Sequence, residues 1–135
     1  MNATAGAVLA FLAGVACLSA AGGQPRHASS GSWGATGAAL QVTESGGTVE
    51  YDCAHGTISA PLVLDGDGRF DVKGLHYREH GGPVREGENG GQPVRYIGQV
   101  SGDTMTLTIR PADGGEAIGT YELTRGRAGR IRKCL

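Results

Sequence analysis

The sequence predicts an all-β protein, a small antiparallel up-and-down barrel of about eight strands. Apolar and polar side chains alternate in short segments, which is the period-two pattern of half-buried strands. Gly- and Asp-rich turns separate these segments, and most turns are short, so sequential strands are expected to pair as a meander. Apolar spacing typical of an amphipathic helix is missing after the N-terminal region. A closed barrel also removes exposed strand edges, which favours it over an open sheet.

The clearest predicted strand is TMTLTIR, in which Met105, Leu107 and Ile109 point inward and threonines point outward. TVEYDC places Val49, Tyr51 and Cys53 inward by the same alternation. The predicted strands cover residues 33–43, 48–53, 57–64, 69–79, 94–102, 104–110, 117–124 and 129–134.

One predicted strand changes its alternation. In RFDVKGLHYRE, Phe70 and Val72 share one face, whereas Leu75 and Tyr77 fall on the other. A β-bulge at Gly74 is expected to bring both pairs into the core.

The N-terminal region predicts export. No charged side chain precedes Arg26, and an apolar run from Ala7 to Leu18 is followed by small residues. This is the pattern of a signal peptide, and the run is too short to span a bilayer comfortably. We assign residues 1–22 to a signal peptide, 23–31 to a flexible linker and 32–135 to the barrel, in a periplasmic or secreted protein.

The three cysteines have different predicted roles. Cys17 ends Gly-Val-Ala-Cys, a variant of the bacterial lipobox, and is the candidate lipidation residue that would provide a membrane anchor. Cleavage near Ala21 to Gly23 is the alternative. Either route leaves Cys53 and Cys134, and an even pair in a small exported domain predicts a disulfide. That pairing argues against Cys53 and His55 as a metal or nucleophile site.

The longest predicted connection, EHGGPVREGENGGQ at 79–92, is the predicted binding element. Loops carry binding groups on a rigid scaffold, and this one combines Glu79, His80, Arg85 and Glu86. The forked donors of Arg85 suit a carboxylate or phosphate. The alternative is that this segment is a hydrophilic, glycine-rich loop with no binding function.

Chemical motifs are sparse, so we assign no catalytic residue, no metal and no cofactor. The leading hypothesis is a non-enzymatic binding or envelope-associated module whose partner is a small molecule or a protein. The first alternative is a small metal-dependent or hydrolytic enzyme using His55, His76 and His80, since three imidazoles are a familiar metal set. The second alternative is an inhibitor of a secreted enzyme.

Charge limits the class of partner. The formal net charge is −1, which argues against nucleic acid. From Arg125 onward the chain has only basic charges, a pattern typical of a solvated edge. A monomer is expected.

Gly31-Ser32-Trp33-Gly34 opens the first predicted strand, and Gly-x-Trp at this place resembles the calycins, which include lipocalins, fatty-acid-binding proteins and avidins. The resemblance implies an eight-stranded barrel in which the tryptophan packs at the closed end beneath an arginine, here Arg130 or Arg132. The chain lacks the C-terminal helix of lipocalins. CAHGTI, GRFDVKG, EHGGPVR and LTRGRAGRIRKCL also resemble a group of small exported bacterial proteins, a likeness that implies no activity.

Overall fold

The computed structural model describes residue 14 and residues 25–79 and 90–134, and it confirms the all-β prediction. Eight strands close into one antiparallel barrel, in which each strand pairs with its neighbours along the chain and β10 pairs with β2. A two-stranded sheet of β1 and β6 lies beside the barrel. The strands are β1 (Arg26–His27), β2 (Gly31–Ala35), β3 (Ala38–Thr43), β4 (Gly46–Tyr51), β5 (Ala54–Ile58), β6 (Val63–Leu64), β7 (Arg69–Arg78), β8 (Gln92–Ser101), β9 (Thr104–Pro111) and β10 (Gly119–Arg125).

The division into strands differs from the prediction at both ends of the barrel sequence. The single strand expected at 33–43 is two strands, because the chain reverses at Thr36 and Gly37, where Gly37 has a φ of +85°. The strand expected at 129–134 is absent, and only an isolated parallel bridge joins Arg130 to Thr36. These two differences cancel, so the barrel still has eight strands. The strand expected at 57–64 is also divided: its first part belongs to β5 of the barrel, and its last two residues form β6, which pairs with β1 outside the barrel.

Part of the predicted linker packs on the barrel. Arg26 and His27 pair with β6, and Ala28 donates a backbone hydrogen bond to the carbonyl of Leu62 over 3.0 Å. Ala28 and Leu62 are both buried, so this end of the barrel is covered. We call it the closed end. The domain therefore includes residues N-terminal to the predicted boundary at 32.

The predicted register of the central strand is confirmed. Met105, Leu107 and Ile109 are fully buried, and the threonines between them lie on the outer face. Val49 and Tyr51 are buried as the alternation in β4 predicts.

The bulge predicted at Gly74 is wrong. β7 pairs with β8 without interruption. Gly74 faces the interior, where the Tyr96 ring occupies the space that a side chain at this position would need. Leu75 and Tyr77 consequently lie on the outer face, half-buried. The same alternation turns His76 inward.

Trp33 is buried near the closed end, where its Nε1 donates to the carbonyl of Ser29 over 3.0 Å. The arginine opposite Trp33 is Arg125 of β10, whose guanidinium donates to Ser29 Oγ. The expectation that Arg130 or Arg132 takes this place is wrong. Both follow β10 and reach the other end of the barrel, where their backbones bond to the turns after β2 and β4.

After β10 the chain doubles back along the outside of the barrel, and we call residues 126–134 the C-terminal strap. It crosses β2 and β3 closely enough that a side chain at Gly34 would collide with its backbone. The strap ends at the β4–β5 turn, where Cys134 forms the predicted disulfide with Cys53. Cys53 N also donates to the carbonyl of Arg132 over 3.0 Å.

Candidate functional site

The end of the barrel opposite the closed end carries a concave pocket of about 270 Å³, which we call the mouth pocket. The β4–β5 turn and the loop between β9 and β10 lie at this end, and β7 also ends here. The mouth pocket is lined by Tyr51, Asp52, Cys53, Ala54, His76, Arg78, Glu79, Ile109, Ile118 and Tyr121.

Three rings form the inner part of this lining. The Tyr51 ring stacks on Tyr121 with centroids 5.6 Å apart, and it lies at a tilt to His76 with centroids 5.5 Å apart. Strand alternation explains the cluster, since all three residues occupy inward positions near the mouth end of β4, β7 and β10. The pocket therefore has an aromatic floor.

Among the residues that the structure describes, two buried polar atoms of this floor have no hydrogen-bond partner: Tyr51 Oη and His76 Nδ1. The Tyr51 hydroxyl lies close to that of Tyr96, which donates to the carbonyl of Leu75 over 2.9 Å, but the two hydroxyls do not meet the geometry of a hydrogen bond. Buried polar groups are nearly always paired with protein, water or ligand. An unpaired phenol and imidazole beneath one pocket are thus candidate ligand-binding groups.

Both groups are held in their neutral forms near pH 7. Burial raises the pKa of Tyr51 well above its usual range, and the neighbouring Tyr96 adds to the shift. Burial also lowers the pKa of His76, with smaller contributions from the positive charges of Arg78 and His55. A neutral phenol can donate or accept, and a neutral imidazole presents one donor and one acceptor.

The two carboxylates of the lining are already engaged in holding the fold. Asp52 Oδ1 accepts from the backbone N of Arg132 over 2.6 Å. Glu79 Oε1 lies 2.9 Å from Nδ1 of His55 and 3.7 Å from Nζ of Lys133. Asp52 therefore attaches the C-terminal strap to the rim of the mouth pocket, and Glu79 joins the end of β7 to both β5 and the strap.

The histidine set predicted for an enzyme is divided by the barrel wall. His55 is opposite Tyr77 on the outer face and stacks on it with centroids 4.8 Å apart, whereas His76 faces inward opposite Gly56. The two imidazoles therefore cannot ligate one ion. Within the part of the chain that the structure describes, no three His, Cys, Asp or Glu residues are grouped for a metal.

Of the predicted binding residues, the structure describes only Glu79. It belongs to the mouth-pocket lining and anchors His55 and Lys133. His80, Arg85 and Glu86 lie outside the described residues, as does Cys17. Gln92, assigned to the predicted loop, begins β8 and pairs with His76.

Sequence reasoning missed Tyr51, His76 and Tyr121 as members of one site. The alternation in β4 did place Tyr51 inside, and the same rule applied to β7 without the bulge would have placed His76 inside. Their approach depends on barrel closure, because β10 and β4 are not adjacent strands.

No family model, curated protein or solved structure matches this chain. In the described ranges, no helix is long and apolar enough to cross a membrane. Function is therefore inferred from the fold and from the geometry of the mouth pocket.

Proposed function

We propose that this chain is an exported, non-enzymatic binding protein that holds a small ligand in the mouth pocket. The observation that carries the proposal is the pair of unpartnered polar atoms, Tyr51 Oη and His76 Nδ1, beneath a pocket at one end of a barrel. Leaving a buried polar group unpaired costs roughly 1–3 kcal/mol. A ligand that pairs with both groups recovers this free energy.

The size of the pocket limits the ligand. Its volume of about 270 Å³ lies just below the roughly 300–1,000 Å³ typical of small-molecule sites. Below the pocket the interior is filled by large side chains, among them Tyr96, Leu107 and Trp33. The ligand is therefore of the size of a single ring and not of a long acyl chain.

Export is supported by two features, the uncharged apolar N-terminal run and the Cys53–Cys134 disulfide. Disulfides persist in oxidising compartments and are rare in the cytosol. The intact mass of the natively produced protein tests this. Loss of about the first 22 residues supports export by cleavage. An added diacylglyceride on Cys17 supports a lipid anchor, and a full-length unprocessed chain overturns export.

A matched pair of variants tests ligand binding. Fragments of one-ring size are screened by chemical-shift changes in two-dimensional NMR spectra of the folded protein. Bound fragments are expected to shift the signals of Tyr51, His76 and Tyr121. Tyr51→Phe should weaken binding of these fragments about tenfold, whereas Tyr77→Phe on the outer face should not.

The stability of Tyr51→Phe separates a binding role from a structural one. Since the Tyr51 hydroxyl lacks a partner, its removal should leave the free energy of unfolding unchanged or higher. Weaker binding without lost stability supports the proposal. A screen in which no fragment shifts mouth-pocket signals contradicts it.

A further inference from the structure

We propose that the ligand of the mouth pocket is a small planar carboxylate, with its carboxylate on Arg78 and its ring against the aromatic floor. This inference rests on the proposed function and names the ligand class. It follows from the charge, the shape and the volume of the pocket.

Arg78 is the cation placed to meet a ligand. It ends β7 on the inner side, opposite Ala54, and is exposed at the mouth. Across residues 25–79 and 90–134, no carboxylate oxygen lies within 4.0 Å of its guanidinium. A guanidinium binds a carboxylate through two parallel hydrogen bonds, which no other side chain provides.

The acidic groups of the lining do not oppose an anion as strongly as their number indicates. Glu79 is bonded to His55 and is paired with Lys133, which also lies 3.9 Å from Glu50, and Asp52 accepts a backbone N–H of the C-terminal strap. His76 and Tyr51 add no negative charge near pH 7, because burial favours the neutral form of each. Among the described residues of the lining, the exposed Arg78 guanidinium is thus the charged group without a carboxylate partner.

The walls fit a flat ring. Tyr51 and Tyr121 stack with an interplanar angle of 25°, and Ile118 stands at the rim with 41% of its surface exposed. An exposed isoleucine beside stacked phenols is an apolar contact surface for a ring. A cavity of about 150 Å³ is known to hold benzene, so a pocket of about 270 Å³ accommodates one ring with a carboxylate and a polar substituent.

The unpartnered atoms complete the recognition. In the proposed pose the carboxylate lies on Arg78 at the mouth and the opposite edge of the ring is turned to the floor, beneath which Tyr51 Oη and His76 Nδ1 are buried. A hydroxyl at that edge donates to one group and accepts from the other. A para-hydroxylated ring should therefore bind more tightly than the unsubstituted ring.

Three one-ring probes of similar size test the charge preference: benzoate, benzamide and benzylamine. Each is titrated into the full chain with its disulfide intact, and binding is followed by NMR shifts of Tyr51, His76 and Tyr121. Benzoate is expected to bind about tenfold more tightly than benzamide, and benzylamine should bind least. 4-Hydroxybenzoate should bind more tightly than benzoate, and Tyr51→Phe should remove that gain.

Substitutions at Arg78 show whether the charge acts at the proposed place. Arg78→Gln should abolish the preference for benzoate over benzamide, and Arg78→Lys should retain part of it. The matched control is Arg110→Gln, which removes the same charge from the outer face of β9 and should leave the preference intact. Unchanged signal dispersion in each variant shows that the fold is preserved.

The inference is overturned if benzamide or benzylamine binds as tightly as benzoate, or if Arg78→Gln keeps the preference. It is also overturned if benzoate leaves the mouth-pocket signals unmoved. In each of these results, fragments from the wider screen that bind at Tyr51 and His76 would still support the proposed function. Failure of the ligand class and failure of the site are therefore distinguishable.

Discussion

Cys53 and Cys134 are joined by a disulfide, with Cα atoms 4.9 Å apart and a sequence separation of 81 positions. The bond attaches the C-terminal strap to the β4–β5 turn at the rim of the mouth pocket. Cys53 has a left-handed backbone, with a φ of +57°, a conformation that costs free energy for any residue other than glycine. The hydrogen bond from Cys53 N to the carbonyl of Arg132 reinforces this junction. One covalent link thus holds both the strap and the pocket rim.

Reducing the disulfide is expected to lower the free energy of unfolding by about 4 kcal/mol, because a long loop is no longer closed in the unfolded chain. Urea unfolding with and without reductant measures the change. The Cys53→Ser/Cys134→Ser double variant should unfold like the reduced protein and should not respond to reductant. Peptide mapping that finds both thiols alkylated in the folded, unreduced protein would contradict the pairing.

Leu107→Ala is expected to destabilise the protein by about 2–4 kcal/mol, because Leu107 is fully buried at the centre of β9 and its truncation leaves a cavity. Thr106→Ala is the neighbouring control on the outer face and should cost far less. Urea unfolding of the two variants gives both values. Equal losses would mean that the inward face of β9 has been assigned incorrectly.

Gly56→Ala is expected to cost about 1–3 kcal/mol, because its methyl group would meet the hydroxyl of Tyr96 inside the barrel. Gly66→Ala, at a turn position with open space around it, should be nearly neutral. Adding Tyr96→Phe to Gly56→Ala should recover part of the loss, so the double variant should lose less than the two single variants added together. Strict additivity would show that the ring and the glycine do not pack together.

Stability should fall as the pH is lowered below about 6.5, and His76 should account for part of the fall. Burial holds the pKa of folded His76 below its usual 6.5, so the unfolded chain takes up a proton at higher pH than the folded protein does. The contribution is therefore intact above about pH 6.5 and is lost progressively below it, until the folded-state pKa is reached.

Unfolding free energies measured between about pH 7.5 and 5.5 test this, since carboxylates dominate only at lower pH. His76→Gln should flatten the slope in this window, whereas His27→Gln, at an exposed position in β1, should keep it. An identical slope for His76→Gln and the parent protein would show that a group other than His76 causes the loss of stability in this pH range.

Several features could be predicted from the sequence because their signal is local. Side chains alternate between the two faces of a strand, so TMTLTIR alone shows which residues of β9 are buried. Short turns make sequential strands antiparallel neighbours, which leads to the meander and, with about eight strands, to closure. The pairing of Cys53 with Cys134 followed from counting, since the third cysteine lies in the predicted signal peptide.

The candidate site was decided by contacts that are distant in sequence. Alternation shows which side chains of a strand share a face only if the strand is uninterrupted. The bulge assumed at Gly74 therefore placed His76 on the wrong face of β7. In the uninterrupted register, Gly74 and Gly56 face the Tyr96 side chain, which fills the space inside both. The site residues of β4, β7 and β10 meet only when the barrel closes.

The sequence by itself therefore determined the strand type, the buried face of β9 and the covalent link to the C-terminus. The tertiary structure alone decided that His55 and His76 lie on opposite sides of the wall, that Arg125 takes the place beside Trp33, and that residues 126–134 form a strap. The physical reason is that a strand's faces depend on its own residues. The pairing of strands and the packing of aromatic rings across the whole barrel decide which face of a strand turns inward. They also decide which residues of other strands it meets.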